Sequence, residues 1–129
     1  MNKGTLAIIG ITVLVVIGLG FVVANRETVA GELDGFAQCL VEKEATFYGA
    51  FWCPHCQSQK RMFGSSAKLL PYVECSLPDG KTRTPVCIEK GIESYPTWIF
   101  KDGTRENGEV PLTTLAEKTG CELPADTAS

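Results

Sequence analysis

Two cysteines, Cys53 and Cys56, enclose a proline and the chain's only histidine in the sequence WCPHC. Cysteines at this spacing can exchange electrons by forming and breaking a disulfide, can supply half of a zinc site, or can form an inert structural crosslink. A closed zinc site takes four ligands, and the sequence offers neither a second CxxC motif nor a distant histidine. Cys75 and Cys87 could complete such a site only as free thiols. The pattern therefore favours thiol–disulfide exchange over the two alternatives.

The motif lies where a strand is expected to meet a helix. Residues 45–52 are mostly apolar and aromatic, which is typical of a strand covered on both faces, and Pro54 suits the first turn of a helix that continues through residues 57–70. The free N–H groups and partial positive charge at a helix start stabilise a thiolate. We therefore expect Cys53 to be the nucleophile and Cys56 to be the resolving thiol.

His55 lies between the two cysteines. If it is protonated or donates a hydrogen bond, it adds to thiolate stabilisation and makes the disulfide more oxidising. The alternative is an exposed turn residue with no redox role.

The surrounding elements follow from apolar periodicity and from Gly and Pro positions. We predict helices over residues 33–44, 84–91 and 112–119, where Thr84 caps the second and Gly120 ends the third. We also predict a kink at Gly64 in the helix that follows the cysteines. The remaining strands are predicted over 72–75 and in a hairpin that pairs 97–100 with 104–108. This order predicts a small α/β domain with a mixed sheet flanked by helices.

The amino-terminal residues 4–24 carry no charge and are long enough to cross a hydrocarbon core of about 30 Å as one helix. We predict an anchor or signal-anchor over residues 1–24, a linker over 25–32, the α/β domain over 33–121 and a tail over 122–129. A signal peptide cleaved after Ala24 or Ala30 is the alternative.

The charges that flank this segment indicate its orientation. Lys3 precedes the segment, whereas Arg26 after it is offset by acidic residues. This predicts a single-pass cell-membrane protein with a cytoplasmic amino terminus and a periplasmic or extracellular domain, where disulfides persist. The net charge of −3 and the absence of a basic face in the sequence exclude nucleic acid as a partner.

The remaining cysteines have to be reconciled with an oxidising compartment. Cys75 ends a predicted strand and Cys87 opens a short helix across a loop with Pro and Gly, so the chain can bring them within disulfide distance. We predict that they pair, with two separately buried thiols as the alternative. Nothing local indicates that Cys39 and Cys121 meet, and we expect Cys39 to be a buried free thiol.

The chain resembles a thioredoxin-like domain with the CPHC motif of the DsbA type. Within that class it is most similar to domains associated with bacterial vitamin K epoxide reductase homologues, over residues 33–120. The matching stretches are FAQCL, YGAFWCPHCQSQK, YVEC, the later Cys87, YPTW and LAEKTG.

The resemblance implies a thioredoxin-like fold, here preceded by one transmembrane helix, and disulfide exchange with protein thiols without a cofactor or metal. It adds Pro54 and a cis Pro96 to the site, gives Tyr95 and Thr97 contact with the substrate chain, and agrees with the second cysteine pair. It also implies reoxidation by a separate membrane partner of the vitamin K epoxide reductase or DsbB type, which passes electrons to quinone.

One position departs from the family pattern. Thioredoxins place a buried carboxylate six residues before the first motif cysteine, and this chain has Phe47 there. The proton acceptor for Cys56 therefore stays open, with water or Glu44 as candidates. Other roles also stay open: a reductase or isomerase of the same fold, or a non-catalytic copper-binding or docking module.

Overall fold

The computed structural model of this protein describes residues 2–4, 9–12 and 31–127. Most of the predicted membrane segment 4–24 and of the linker 25–32 lies outside these residues. Within the described ranges, no helix combines the length and the apolar character that crossing a membrane requires.

A four-stranded mixed sheet forms the centre of residues 31–127. Its strands are β1 (Thr46–Gly49), β2 (Tyr72–Glu74), β3 (Thr97–Ile99) and β4 (Arg105–Asn107), arranged in the order β2-β1-β3-β4. β1 pairs in parallel with β2, and β3 is antiparallel to both β1 and β4. With helices around it, this sheet fits a thioredoxin-like fold, as predicted.

Within residues 31–127, the chain forms four α-helices: α1 (Asp34–Glu42), α2 (Pro54–Met62), α3 (Pro85–Glu89) and α4 (Leu112–Thr119). Short 3₁₀ helices cover Gly64–Leu69 and Ala125–Thr127. The helix predicted through residue 70 with a kink at Gly64 instead ends at Met62. Gly64 has φ of +53°, a conformation that glycine adopts without steric cost, and the chain continues from it as a 3₁₀ helix. Gly120, with φ of +72°, ends α4 as expected.

Two further details of these elements differ from prediction. β1 ends at Gly49 instead of running into the cysteines, and Phe51 and Trp52 lie in an exposed turn. Thr84 precedes α3 at the cap position, but its hydroxyl donates to the Glu74 carbonyl at 3.1 Å and not to the helix. That bond connects the start of α3 to β2.

The core has two parts, one on each face of β1. Successive strand residues point to opposite faces. Phe47 therefore joins the larger cluster, where it stacks on Trp98 with ring centroids 5.0 Å apart, while Tyr48 joins a smaller cluster with Ile92. The larger cluster lies beneath the CPHC motif and includes both of its cysteines.

Two disulfides crosslink the domain. The pair Cys75–Cys87 lies fully buried in the smaller cluster and matches the sequence prediction. The expectation of a free Cys39 is wrong, because Cys39 is bonded to Cys121, 82 residues away. The left-handed conformation of Gly120 redirects the chain after α4, and Cys121 then packs in the same cluster as α1, with the two Cα atoms 5.9 Å apart.

Candidate active site

Cys53 occupies the position immediately before α2. Its backbone is extended (φ −76°, ψ 120°), Pro54 begins the helix, and the Cys53 carbonyl accepts the Gln57 N–H at 3.1 Å. This geometry places Cys53 at the positive end of the helix dipole. Cys53 and Cys56 are both free thiols, with residue exposures of only 5% and 1%.

The Tyr95–Pro96 segment forms the wall opposite Cys53. The peptide bond between these residues is cis, and the Cys53 thiol lies 3.7 Å from the Tyr95 carbonyl oxygen, to which it donates. The Tyr95 ring meets Trp52 edge to face, with centroids 6.0 Å apart. The main chain of this cis-proline segment therefore lies directly beside the expected nucleophile.

Thr97 follows on the same segment, but its side chain faces inward. It is 2% exposed, and its hydroxyl lies 2.8 Å from both the Ser94 carbonyl oxygen and Asn107 Oδ1. The hydroxyl is thus used within the fold, and the main chain of Thr97 pairs with Tyr48 of β1 on one side and Asn107 of β4 on the other. Substrate contact by Thr97 stays a prediction.

His55 points away from the core and is 70% exposed. Its Nδ1 lies 2.7 Å from Oε1 of Glu109, a residue in the segment between β4 and α4. No local pattern indicates Glu109, because 54 residues separate it from His55.

Cys56 lies under the turn, next to Gly49 of β1. A Cβ built on Gly49 would lie 2.8 Å from Cys56 Sγ and 2.9 Å from Cε2 of Tyr72, so glycine is required for the sulfur to sit there. Burial raises the pKa of the Cys56 thiol to about 12, the neighbouring Cys53 also raises it, and the Ala50 main chain and Lys60 lower it. At neutral pH this thiol is protonated, so its reaction requires proton transfer.

Neither the family's carboxylate position nor Glu44 supplies a base beside Cys56. Phe47 fills the position of the family carboxylate, fully buried against Trp98. Glu44 precedes β1, at the opposite end of the strand from Gly49, and its exposed carboxylate pairs with Lys101 at 2.7 Å. Glu44 is therefore not placed to receive the Cys56 proton.

Gln59 is a site residue that the sequence analysis missed. It is fully buried three residues after Cys56, and its side chain accepts the Val110 N–H at 2.7 Å and donates to the Val110 carbonyl at 3.0 Å. Its Oε1 also accepts from the Trp98 indole at 3.4 Å. Gln59 thus fixes α2 to the segment that carries Glu109. In the sequence, its spacing of three residues from Cys56 would have indicated that both lie on the same face of the helix.

A groove with a volume of about 390 Å³ runs beside Tyr95. Apolar, hydroxyl and basic groups line it together: Trp52, Cys75, Ser76, Lys81, Thr82, Arg83, Ile88 and Tyr95. The sulfurs of Cys75 and Cys87 are bonded to each other and cannot join Cys53 and Cys56 in a zinc site. Among the described residues, no three His, Cys, Asp or Glu side chains are grouped so as to hold a metal ion.

Comparison with known proteins bears on the chemistry of this site. No family model matches the chain. Over 84 residues the chain is 51% identical to the thiol-disulfide oxidoreductase LTO1 of Arabidopsis thaliana, an alignment that covers 61% of this chain. The chain spans only 22% of the plant protein's length. The similarity supports an oxidoreductase enzyme built on a thiol–disulfide oxidoreductase domain.

Proposed function

We propose that this protein is a membrane-anchored, extracytoplasmic thiol–disulfide oxidoreductase that donates disulfides to protein thiols through Cys53 and Cys56. A separate membrane partner of the vitamin K epoxide reductase or DsbB type, linked to quinone, reoxidises the pair. The observation that carries the chemistry is the position of Cys53, at the start of α2 and beside the Tyr95 carbonyl.

The reaction consists of two thiol–disulfide exchanges. A substrate thiolate attacks Cys53 Sγ of the oxidised pair, a mixed disulfide forms, and Cys56 leaves as a thiolate that takes up a proton. A second substrate thiolate then attacks the substrate sulfur, and Cys53 leaves. The substrate gains one disulfide and loses two protons and two electrons, and the protein gains both.

Access favours attack at Cys53 over Cys56. Cys53 contacts the Tyr95 main chain, next to the groove and to the exposed Phe51 and Trp52, whereas Cys56 lies deeper, against β1. An extended substrate segment that pairs with the main chain around Tyr95 would present its cysteine to Cys53. The apolar groups that line the groove suit an unfolded segment that carries apolar side chains.

Anchoring and reoxidation rest on different support. The uncharged residues 4–24 support the anchor. The resemblance to domains associated with vitamin K epoxide reductase homologues supports the quinone-linked partner. Both disulfides away from the site agree with an oxidising compartment.

A redox titration of the purified chain against glutathione tests the direction of electron flow. Thioredoxin-fold proteins have reduction potentials of roughly −120 mV, the oxidising end, to −270 mV. We expect the reduction potential of the Cys53–Cys56 pair to lie nearer the oxidising end than the potential of thioredoxin does. A potential at or below that of thioredoxin would exclude the oxidant role and favour the reductase.

Trapping tests the order of attack. Cys56→Ala removes the resolving thiol, so mixed disulfides between Cys53 and substrate proteins should accumulate. Cys53→Ala is the matched control and should trap few. Equal trapping by the two variants would show that the nucleophile is wrongly assigned.

A further inference from the structure

Cys56 has to carry a negative charge during the reaction although it is buried. Its thiolate is required in the proposed reaction as leaving group, and in the reverse reaction as attacking group. Yet Cys56 is almost fully buried, and the family's carboxylate position holds Phe47. The Ala50 main chain favours the thiolate, and a nearby cation would stabilise the negative charge further.

Lys60 is the cation placed to do so. It follows Cys56 by four residues on α2, so the two side chains lie on the same face of the helix, one turn apart. Lys60 Nζ lies over the ring of Tyr72, 3.4 Å from its centroid. The edge of that same ring and Cys56 Sγ both border the space beside Gly49, so Lys60 and Cys56 both lie beside the Tyr72 ring.

Tyr72 is itself held in place, and this fixes Lys60. Its hydroxyl donates to Glu74 Oε2 at 2.7 Å, and Oε1 of Glu74 accepts the main-chain N–H groups of Phe51 and Ser76 at 3.1 and 2.9 Å. Burial and the adjacent Glu74 raise the pKa of Tyr72, which keeps it a neutral ring that can bind a cation. An ammonium group attracted to the ring face is thereby retained near the buried sulfur.

We propose that Lys60 is the positioning residue that stabilises the Cys56 thiolate, held there by the Tyr72 ring, in place of a buried carboxylate. The proposal deepens the proposed function at the same site and rests on it for the reaction. It does not depend on the direction of electron flow, because the Cys56 thiolate takes part in both directions.

The other ionisable groups around Cys56 act differently. On its own helix Cys53 disfavours the Cys56 thiolate when it is charged. On β2, Tyr72 is neutral, and the Glu74 carboxylate accepts the Tyr72 hydroxyl and brings no positive charge to the sulfur. The facing β1 residues Phe47 and Gly49 have no ionisable side chain. Among the described groups that interact with Cys56, Lys60 is the cation.

The test measures one step in the purified 129-residue chain in detergent. In excess oxidised glutathione, Cys53 forms a mixed disulfide and releases one glutathione thiolate. Cys56 then attacks Cys53 Sγ, closes the protein disulfide and releases a second. Acid quenching and mass spectrometry give the rate of this second, unimolecular step.

Lys60→Met removes the charge with little loss of length, and Lys60→Arg is the matched control. We expect Lys60→Met to slow ring closure about fivefold at pH 7 and low salt, as for one partly screened charge, and to shift its pH profile upward. Lys60→Arg should stay within about twofold of wild type. The deficit should shrink at high ionic strength, which a purely structural defect would not do.

Direct titration of Cys56 gives an independent readout. In the Cys53→Ser background, the ¹³Cβ shift of Cys56 should titrate at a higher pH with Met at position 60 than with Arg. Equal titrations, or a deficit that does not change with salt, would overturn the proposal. If Lys60→Met does not fold, Lys60→Gln takes its place with the same expectations. A low reduction potential would refute only the oxidant role and would leave this result unaffected.

Discussion

Removing the Cys39–Cys121 disulfide should destabilise the domain more than any other crosslink change. The perturbation is the double variant Cys39→Ala/Cys121→Ala, with Cys53 and Cys56 replaced by serine to prevent reshuffling. The bond closes a loop with a sequence separation of 82. Chain entropy for a loop of this length corresponds to about 4.5 kcal/mol at 25 °C.

This amount is large compared with the ~5–15 kcal/mol stability of typical domains. The control is Cys75→Ala/Cys87→Ala, whose separation of 12 corresponds to about 2.8 kcal/mol by the same relation. The entropic difference between the pairs is therefore about 1.7 kcal/mol. Residual structure in the unfolded chain reduces both values.

Urea unfolding of the non-reduced variants is the assay. At a slope of about 1.5 kcal/mol/M, the loss lowers the midpoint by roughly 3 M relative to the parent. A loss under about 1 kcal/mol at Cys39 and Cys121, with the control pair still destabilising, would refute the loop-closure reasoning. Peptide mapping of the parent under non-reducing conditions should recover both linkages.

Three further predictions follow from buried positions. Gly49→Ala places a methyl group 2.8 Å from Cys56 Sγ and should cost about 1–3 kcal/mol in urea unfolding, whereas Gly35→Ala, with nothing within 4 Å, should not destabilise. Gln59→Leu leaves the Val110 N–H unpaired and should cost about 2 kcal/mol; no change in the thermal midpoint would contradict this. Folding raises the pKa of the Cys56 thiol from 9.0 to about 12, so as the pH rises the unfolded chain loses this proton before the folded chain does. The free energy of unfolding of the reduced protein should therefore fall between pH 9 and 12. The same pH dependence in the oxidised protein, which has no Cys56 thiol, would contradict this.

Local sequence patterns were sufficient for most elements. The spacing of apolar residues gave α1 and α4, and Gly120 gave the end of α4, because these signals act within a few residues. β1 was predicted too long, because exposed aromatic residues at Phe51 and Trp52 look like buried strand residues in a sequence. Their exposure depends on the turn that positions Cys53.

For the site, residue types and spacing were enough to place two thiols at the start of a helix and to predict their order of attack. These depend on residue type and on spacing within one helical turn. The contacts of the neighbouring charged residues came from tertiary structure alone: Glu109 lies at His55, and the Tyr72 ring lies under Lys60. The Cys39–Cys121 bond belongs to the same group. Each contact joins residues that are distant in the chain, and only the packing of the sheet and helices brings them together, which no local pattern encodes.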